Sequence, residues 1–214
     1  MHVIPALARS RAAIAIAIAL LGTPALAGND DEPVLTEDQK RARGSAEYVR
    51  LSQDLEKLAS RNAWAGVERM YQAILETGIA PGFDDLVAAA YAARAVGNVT
   101  AVRDRLLAAN ELQEDRAVLD WLWDLDSNYG YAFIAGDVGE VTLTVDKMPF
   151  NPDQVAAIQY AQQQIETTGL YEGYLPSATY GFSGLEVRVQ PRVSTVRIDV
   201  RSDGGRKRKR NKDR

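Results

Sequence analysis

The sequence predicts an α+β fold: an array of α-hairpins over residues 36–127, then a small antiparallel β-sandwich-like region with one inserted helix over 128–200. Three observations predict it. Apolar residues recur at spacings of three and four up to about Ser127, the spacing of one helical face. From Tyr131 onward they alternate, the period of a half-buried strand. Within the alternating stretch, Asn151-Pro152-Asp153 supplies a cap, a proline at the first helical position and an early acid, which together open a helix.

Taken in order, the first helix starts at Thr36, where Thr36-Glu37-Asp38-Gln39 has the form of a capping box. It runs towards Arg61 with Tyr48, Leu51, Leu55 and Leu58 on one stripe, and Gly44-Ser45 is expected to interrupt its first part. Asn62 is expected to cap a second helix with Trp64, Val67, Tyr71 and Leu75 inward, stopped at Gly78. Residues 79–83 contain Pro81-Gly82 and form a turn. A third helix covers 84–96 and ends at Gly97. Thr100 is expected to cap a fourth, with Val102, Leu106 and Ala109 inward. A fifth, from Glu114 to about Ser127, carries Val118, Leu119, Leu122 and Trp123. Trp121 and Trp123 are two apart and cannot both face one core, which places one of them at the junction with the β region or on the surface as an anchor.

Strands are then expected at 131–135 and 141–145, joined by a turn at 136–139. A helix follows over 152–168 with Val155, Ile158, Ala161 and Ile165 on its apolar face, stopped by Gly169. Three more strands cover 178–182, 185–189 and 193–200, the first two joined tightly at Ser183-Gly184.

Two resemblances follow from these residues. Leu86, Ala89, Ala90, Tyr91, Gly97-Asn98, Leu106, Ala109 and Glu111-Leu112 resemble one tetratricopeptide repeat unit, and the helix from Trp64 to Leu75 is similar to that family's W…Y first-helix pattern. The resemblance implies helix pairs packed through small residues and a groove that takes a peptide or protein segment, lined here by Trp64, Tyr91 and Arg94. The pattern Gly173-x-Leu175-Pro176-x-x-x-Tyr180, followed by Leu185-x-Val187-x-Val189, resembles the end of prealbumin-like, carboxypeptidase regulatory-like domains. Together these parts resemble secreted bacterial envelope proteins.

Residues 1–27 read as a secretory leader. Arg9 and Arg11 give the positive start, Ala12 to Leu21 the apolar run, and Ala25-Leu26-Ala27 the small-x-small cleavage pattern. Residues 28–35 read as a solvated linker, and the chain is expected to be exported to a periplasmic or extracellular location. The apolar run of the leader is shorter than a membrane span and no later segment reaches that length.

Composition narrows the chemistry. The chain has no cysteine, and its one histidine, His2, lies in the leader. Thiolate chemistry, Ser-His-Asp catalysis and histidine-bearing zinc sites are therefore excluded from the mature chain. No residue is assigned a catalytic, cofactor-binding or metal-binding role, and no cofactor is expected. Asp124-x-Asp126-x-Asn128-x-Gly130 comes nearest to a calcium loop but lacks the distal glutamate.

Charge is asymmetric: residues 28–200 hold 27 acidic and 15 basic side chains, whereas Arg206, Lys207, Arg208, Lys209, Arg210, Lys212 and Arg214 crowd the C-terminus. A run this charged cannot pack a core and reads as a disordered tail suited to an anionic envelope polymer or lipid surface. The leading expectation is a non-catalytic interaction or scaffold protein for a protein or peptide partner. Polyanion attachment through the tail is the alternative, followed by a carboxylate-dependent glycan enzyme, and nucleic acid is an unexpected partner for an exported chain.

Overall fold

The computed structural model describes residues 37–139, 141–146, 151–192 and 195–200, with side chains from Ala42 onward. Residues 1–27 and 28–35, expected to be a leader and a linker, and the basic C-terminal residues lie outside the described residues.

Five helices come first: α1 (Glu37–Ala59), α2 (Trp64–Glu76), α3 (Phe83–Ala95), α4 (Val99–Leu112) and α5 (Arg116–Asn128). Helix α1 continues through Gly44 and Ser45, correcting the expected interruption. A single mid-helix glycine costs only about 1 kcal/mol, and burial of Leu51 and Leu55 outweighs it. Helix α2 buries Val67, Tyr71 and Ile74, while Leu75, expected inside, is exposed. Two helical turns from Val67 end at position 74, so the stripe passes Leu75 by.

Two caps also differ from expectation. Asn62 does not cap α2; it takes φ 55°, a left-handed conformation that asparagine tolerates, and Ala63 stands at the cap without a side-chain bond. At α4 the cap is Asn98, whose Oδ1 accepts from the Ala101 amide at 3.1 Å, and Thr100 lies inside the first turn. Gly97, with φ 80°, closes α3 so abruptly that the next helix starts one residue later, before Thr100 can act. Helix α5 is capped by Asp115, which accepts from the Ala117 and Val118 amides.

The second half contains β1 (Tyr129–Ala135), β2 (Leu143–Val145), α6 (Pro152–Thr168), β3 (Leu170–Pro176), β4 (Ala178–Phe182), β5 (Leu185–Val189) and β6 (Val196–Asp199). They form two three-stranded sheets, ordered β3-β1-β6 and β2-β4-β5. The fold is thus α+β, as read from the sequence, with three corrections in the strands. β1 and β2 are not a hairpin but belong to different sheets. β3 was not among the expected strands, although Tyr171, Gly173 and Leu175 all turn inward. β1 pairs with β6 in parallel, Ile134 opposite Ile198, so that sheet is mixed and not antiparallel throughout. The β4–β5 hairpin turns at Ser183 and Gly184 with φ 40° and 85°, the two left-handed positions of a tight primed turn.

Three apolar cores follow one another along the chain. Leu51, Leu55, Val67, Tyr71, Ile74, Leu86 and Ala89 fill the first, between α1, α2 and α3. Ala90, Ala93, Val102, Leu106, Val118, Leu122 and Leu125 fill the second, which also takes in Tyr129 of β1 and Ala157 of α6. The third joins both sheets to α6 through Ala132, Ile134, Ile158, Ile165, Leu175, Tyr180 and Phe182. The middle core therefore ties the helical array to the β region. Gly97 sits where they meet: a Cβ there would stand 2.1 Å from the Ala156 carbonyl oxygen of α6.

Candidate functional site

The residues expected to line a partner groove are brought together. Trp64 begins α2, Tyr91 and Arg94 lie one turn apart on α3, and Trp121 lies on α5. The Trp64 and Tyr91 rings stack with centroids 5.9 Å apart and planes 19° apart. Tyr91 meets Trp121 at 4.8 Å in a tilted contact. The Arg94 guanidinium then covers Trp121, 5.4 Å from its ring centroid. The result is a row of three partly exposed aromatic rings crossing three helices and ended by a cation. Of the two neighbouring tryptophans, Trp121 is the one at the junction with the β region; Trp123 is 67% exposed.

Beyond Arg94 the row opens into a cleft of about 130 Å³ lined by Arg94, Trp121, Asp124, Asn128, Tyr129 and Asp153. Sequence reasoning saw Asp153 only as a helix-start acid. In three dimensions its Oδ2 accepts from Arg94 Nη2 at 2.5 Å, across 59 residues. This bond raises the guanidinium pKa further, partly offset by burial. Both side chains are about two-fifths exposed, so the pair orients more than it stabilises. Asn128 donates to the Asp124 carboxylate at 2.8 Å. Tyr129, on the floor of the cleft, has its pKa pushed up to about 12, chiefly by burial, then by Asp153 and Asp124, with Arg94 acting in the opposite direction.

Two carboxylates, Asp124 and Asp153, thus share the cleft, each already engaged by a donor on the protein. Asp124, Asp126 and Asn128, the calcium-like spacing, lie on α5 and not in a loop, and Asp126 pairs with Arg103 at 2.9 Å. Among the described residues no cluster of three His, Cys, Asp or Glu could hold a metal ion.

The aromatic residues of the β region divide by face. Tyr129, Tyr171, Tyr180 and Phe182 are buried, whereas Tyr131, Phe133 and Tyr174 form the partly exposed outer face of the mixed sheet. Tyr131 meets Tyr174 edge-on at 5.0 Å and donates to Glu172. Arg197 covers Phe133 and Arg103 covers Tyr174. The tail cations Arg206, Lys207, Arg208, Lys209, Arg210 and Lys212 lie outside the described residues.

Two structural anchors go beyond the sequence reading, which saw Asp85 only as a helix-start acid and did not single out Arg105. Asp85 is buried and accepts from Tyr48 Oη, Ser52 Oγ and the Gly82 amide. Arg105 makes a two-point contact with Glu68 at 2.6 and 2.7 Å, donates to the Ala89 carbonyl and lies over the Tyr71 ring. Arg105 has no local sequence signal, because Ala89 and Glu68 lie 16 and 37 residues away. Asp85 has one, as the acid three residues after the Gly82 cap, but its contacts with Tyr48 and Ser52 span 37 and 33 residues.

Fold and site define a helical array closed by a small mixed β region, with an aromatic row leading to the cleft between them. Comparison with protein-family models, with curated proteins and with solved structures gave no match. The described residues contain no helix long and apolar enough to cross a membrane.

Proposed function

We propose that this protein is an exported, non-catalytic interaction protein that seats a peptide or protein segment along the Trp64–Tyr91–Trp121 row, with Arg94 at its end. The observation that carries this reading is the row itself: three partly exposed rings from three helices, in contact and continuous with a cleft. Rings held by packing offer large contact area at little further entropic cost, and Trp, Tyr and Arg dominate binding energy at interfaces. The helix pairs that present them carry the tetratricopeptide-like residues, and α3 with α4 buries Leu86, Ala89, Ala90, Leu106 and Ala109 between or beside the pair. The resemblance supports a peptide groove, and the leader-like residues 1–27 support an exported setting.

The reading is tested by selecting peptides on the purified protein from a random displayed library and measuring their affinity for Trp64→Ala, Tyr91→Ala and Arg94→Gln variants. Loss of 10-fold or more in affinity, with unchanged circular dichroism, is the expected result. Peptides that bind all three variants as they bind the wild type would overturn it.

A further inference from the structure

The outer face of α5 is apolar, exposed and acid-rimmed. Leu119 and Trp123 lie four residues apart, on one face of the helix, and are 39% and 67% exposed; Leu112, at the end of α4, is 59% exposed. The opposite face of α5 is spent on the middle core through Val118, Leu122 and Leu125. Between positions 111 and 128 stand six carboxylates, Glu111, Glu114, Asp115, Asp120, Asp124 and Asp126, against one base, Arg116. Asp120 and Asp124 flank Trp123 at three residues before and one after. Arg116 reaches Asp120 only at 3.6 Å, with both side chains largely in water.

The chain carries a segment of the opposite character. Residues 206–214 hold seven cations and one acid. Arginine over an aromatic ring is also the recurrent contact of this molecule. Arg94 covers Trp121, Arg103 covers Tyr174, Arg105 covers Tyr71 and Arg197 covers Phe133, at 4.4 to 5.5 Å. Tryptophan is the most favourable ring for such a contact, and Trp123 is the most exposed of the three tryptophans.

The segment can reach. The Val200 amide donates to the Ala135 carbonyl, at the far end of β1 from α5. Returning along β1 takes about 20 Å at strand rise, and Trp123 lies about 8 Å further along the helix. Eight to ten extended residues beyond Val200 span about 26 to 35 Å, enough for Arg208 to Arg210 to cover that path to Trp123.

We infer that residues 206–214 dock on the α5 face of their own chain, with an arginine against the Trp123 ring and neighbouring cations on Asp120, Asp124 and the carboxylates of the α4–α5 turn. Any external polyanion must then compete with this face for the same cations, so the tail is a guarded attachment element and not a free one.

The test compares the indole and α5 amide resonances of the purified protein with those of a variant ending at Gly205. The expected result is a shift of Trp123 and its neighbours on truncation, restored by a synthetic peptide of residues 206–214 and abolished at about 0.5 M salt, where screening acts over only a few ångströms. Trp123→Ala and Asp120→Asn, changes at exposed positions outside the cleft, are expected to weaken binding of that peptide to the truncated protein at least 5-fold. Identical α5 resonances in the two forms at low salt would overturn the inference, as would shifts confined to another surface. Shifts that grow with protein concentration, alongside a dimer mass, would also overturn it by moving the segment onto a second copy.

Discussion

At the scale of single residues, Gly97 couples backbone conformation to the junction on which the cleft depends. It needs a left-handed φ to end α3, and it needs no side chain because α6 lies against it. Gly97→Ala is expected to cost about 3 kcal/mol or more, read as a lower urea midpoint. Arg105 tests a different force. Its guanidinium is largely buried, whereas Glu68 is 37% exposed, so Arg105→Gln is expected to lose about 1 kcal/mol near neutral pH, the carboxylate being partly satisfied by water. Burial raises the Glu68 pKa, but hydrogen bonds from Arg105 and Gln72 outweigh it, and the net shift is downward. Its stabilisation is therefore present above the ordinary glutamate range and is lost as pH falls through the lower folded value. The difference between wild type and Arg105→Gln should accordingly narrow between pH 7 and pH 3 in urea unfolding. Tyr129 runs the other way, because its neutral form is the favoured one. Its contribution is intact below about pH 10, the unfolded value, and lost as pH approaches its folded value of about 12. A difference absorbance titration against Tyr129→Phe should show one tyrosine ionising near pH 12; ionisation near pH 10 would contradict the buried, carboxylate-flanked placement.

At the scale of elements, α5 gives the clearest test, because its sequence is compatible with two inward faces. The structure buries Val118, Leu122 and Leu125 and leaves Leu119 and Trp123 outside. Leu122→Ala is expected to cost about 3 kcal/mol, and Trp123→Ala within about 0.5 kcal/mol of zero; equal losses would put the other face inside. The caps of α4 make a second pair: Asn98→Ala should cost about 1 kcal/mol and Thr100→Ala close to nothing, measured by thermal unfolding. These elements also show what a sequence can carry. Helix α6 was legible to the residue, since Asn151-Pro152 and Gly169 are local signals at its two ends. β3 was not, because Gly173 is required by the approach of Thr100 Oγ1, which would lie 2.6 Å from a Cβ there. Nothing within the strand announces that contact. The pairing of β1 was hidden for the same reason: a short turn at 136–139 suggests a hairpin, yet its partners, β3 and β6, arrive 35 or more residues later.

At the scale of the whole molecule, three successive cores hold the described residues together, and the aromatic row crosses from the first core to the second, where it meets the cleft over Val99, Val102, Leu125 and Tyr129. Trp64, Tyr91 and Arg94 were legible as a group through the helical pattern of their neighbours, which set them on the first helices of expected helix pairs. Trp121 was legible only as one of two alternatives, and Asp153 and Tyr129 not at all, since their roles arise from α6 folding back onto α3. On the reading proposed above, this row is a recognition surface and not merely a seam between helices. The most direct measurement is nuclear magnetic resonance mapping of a library-selected peptide on the intact protein. Shifts are expected at the Trp64 and Trp121 indoles and at Arg94, all lost in Tyr91→Ala. Shifts confined to the outer sheet face around Tyr131, Phe133 and Tyr174, with the Trp64 and Trp121 indoles unmoved, would contradict it.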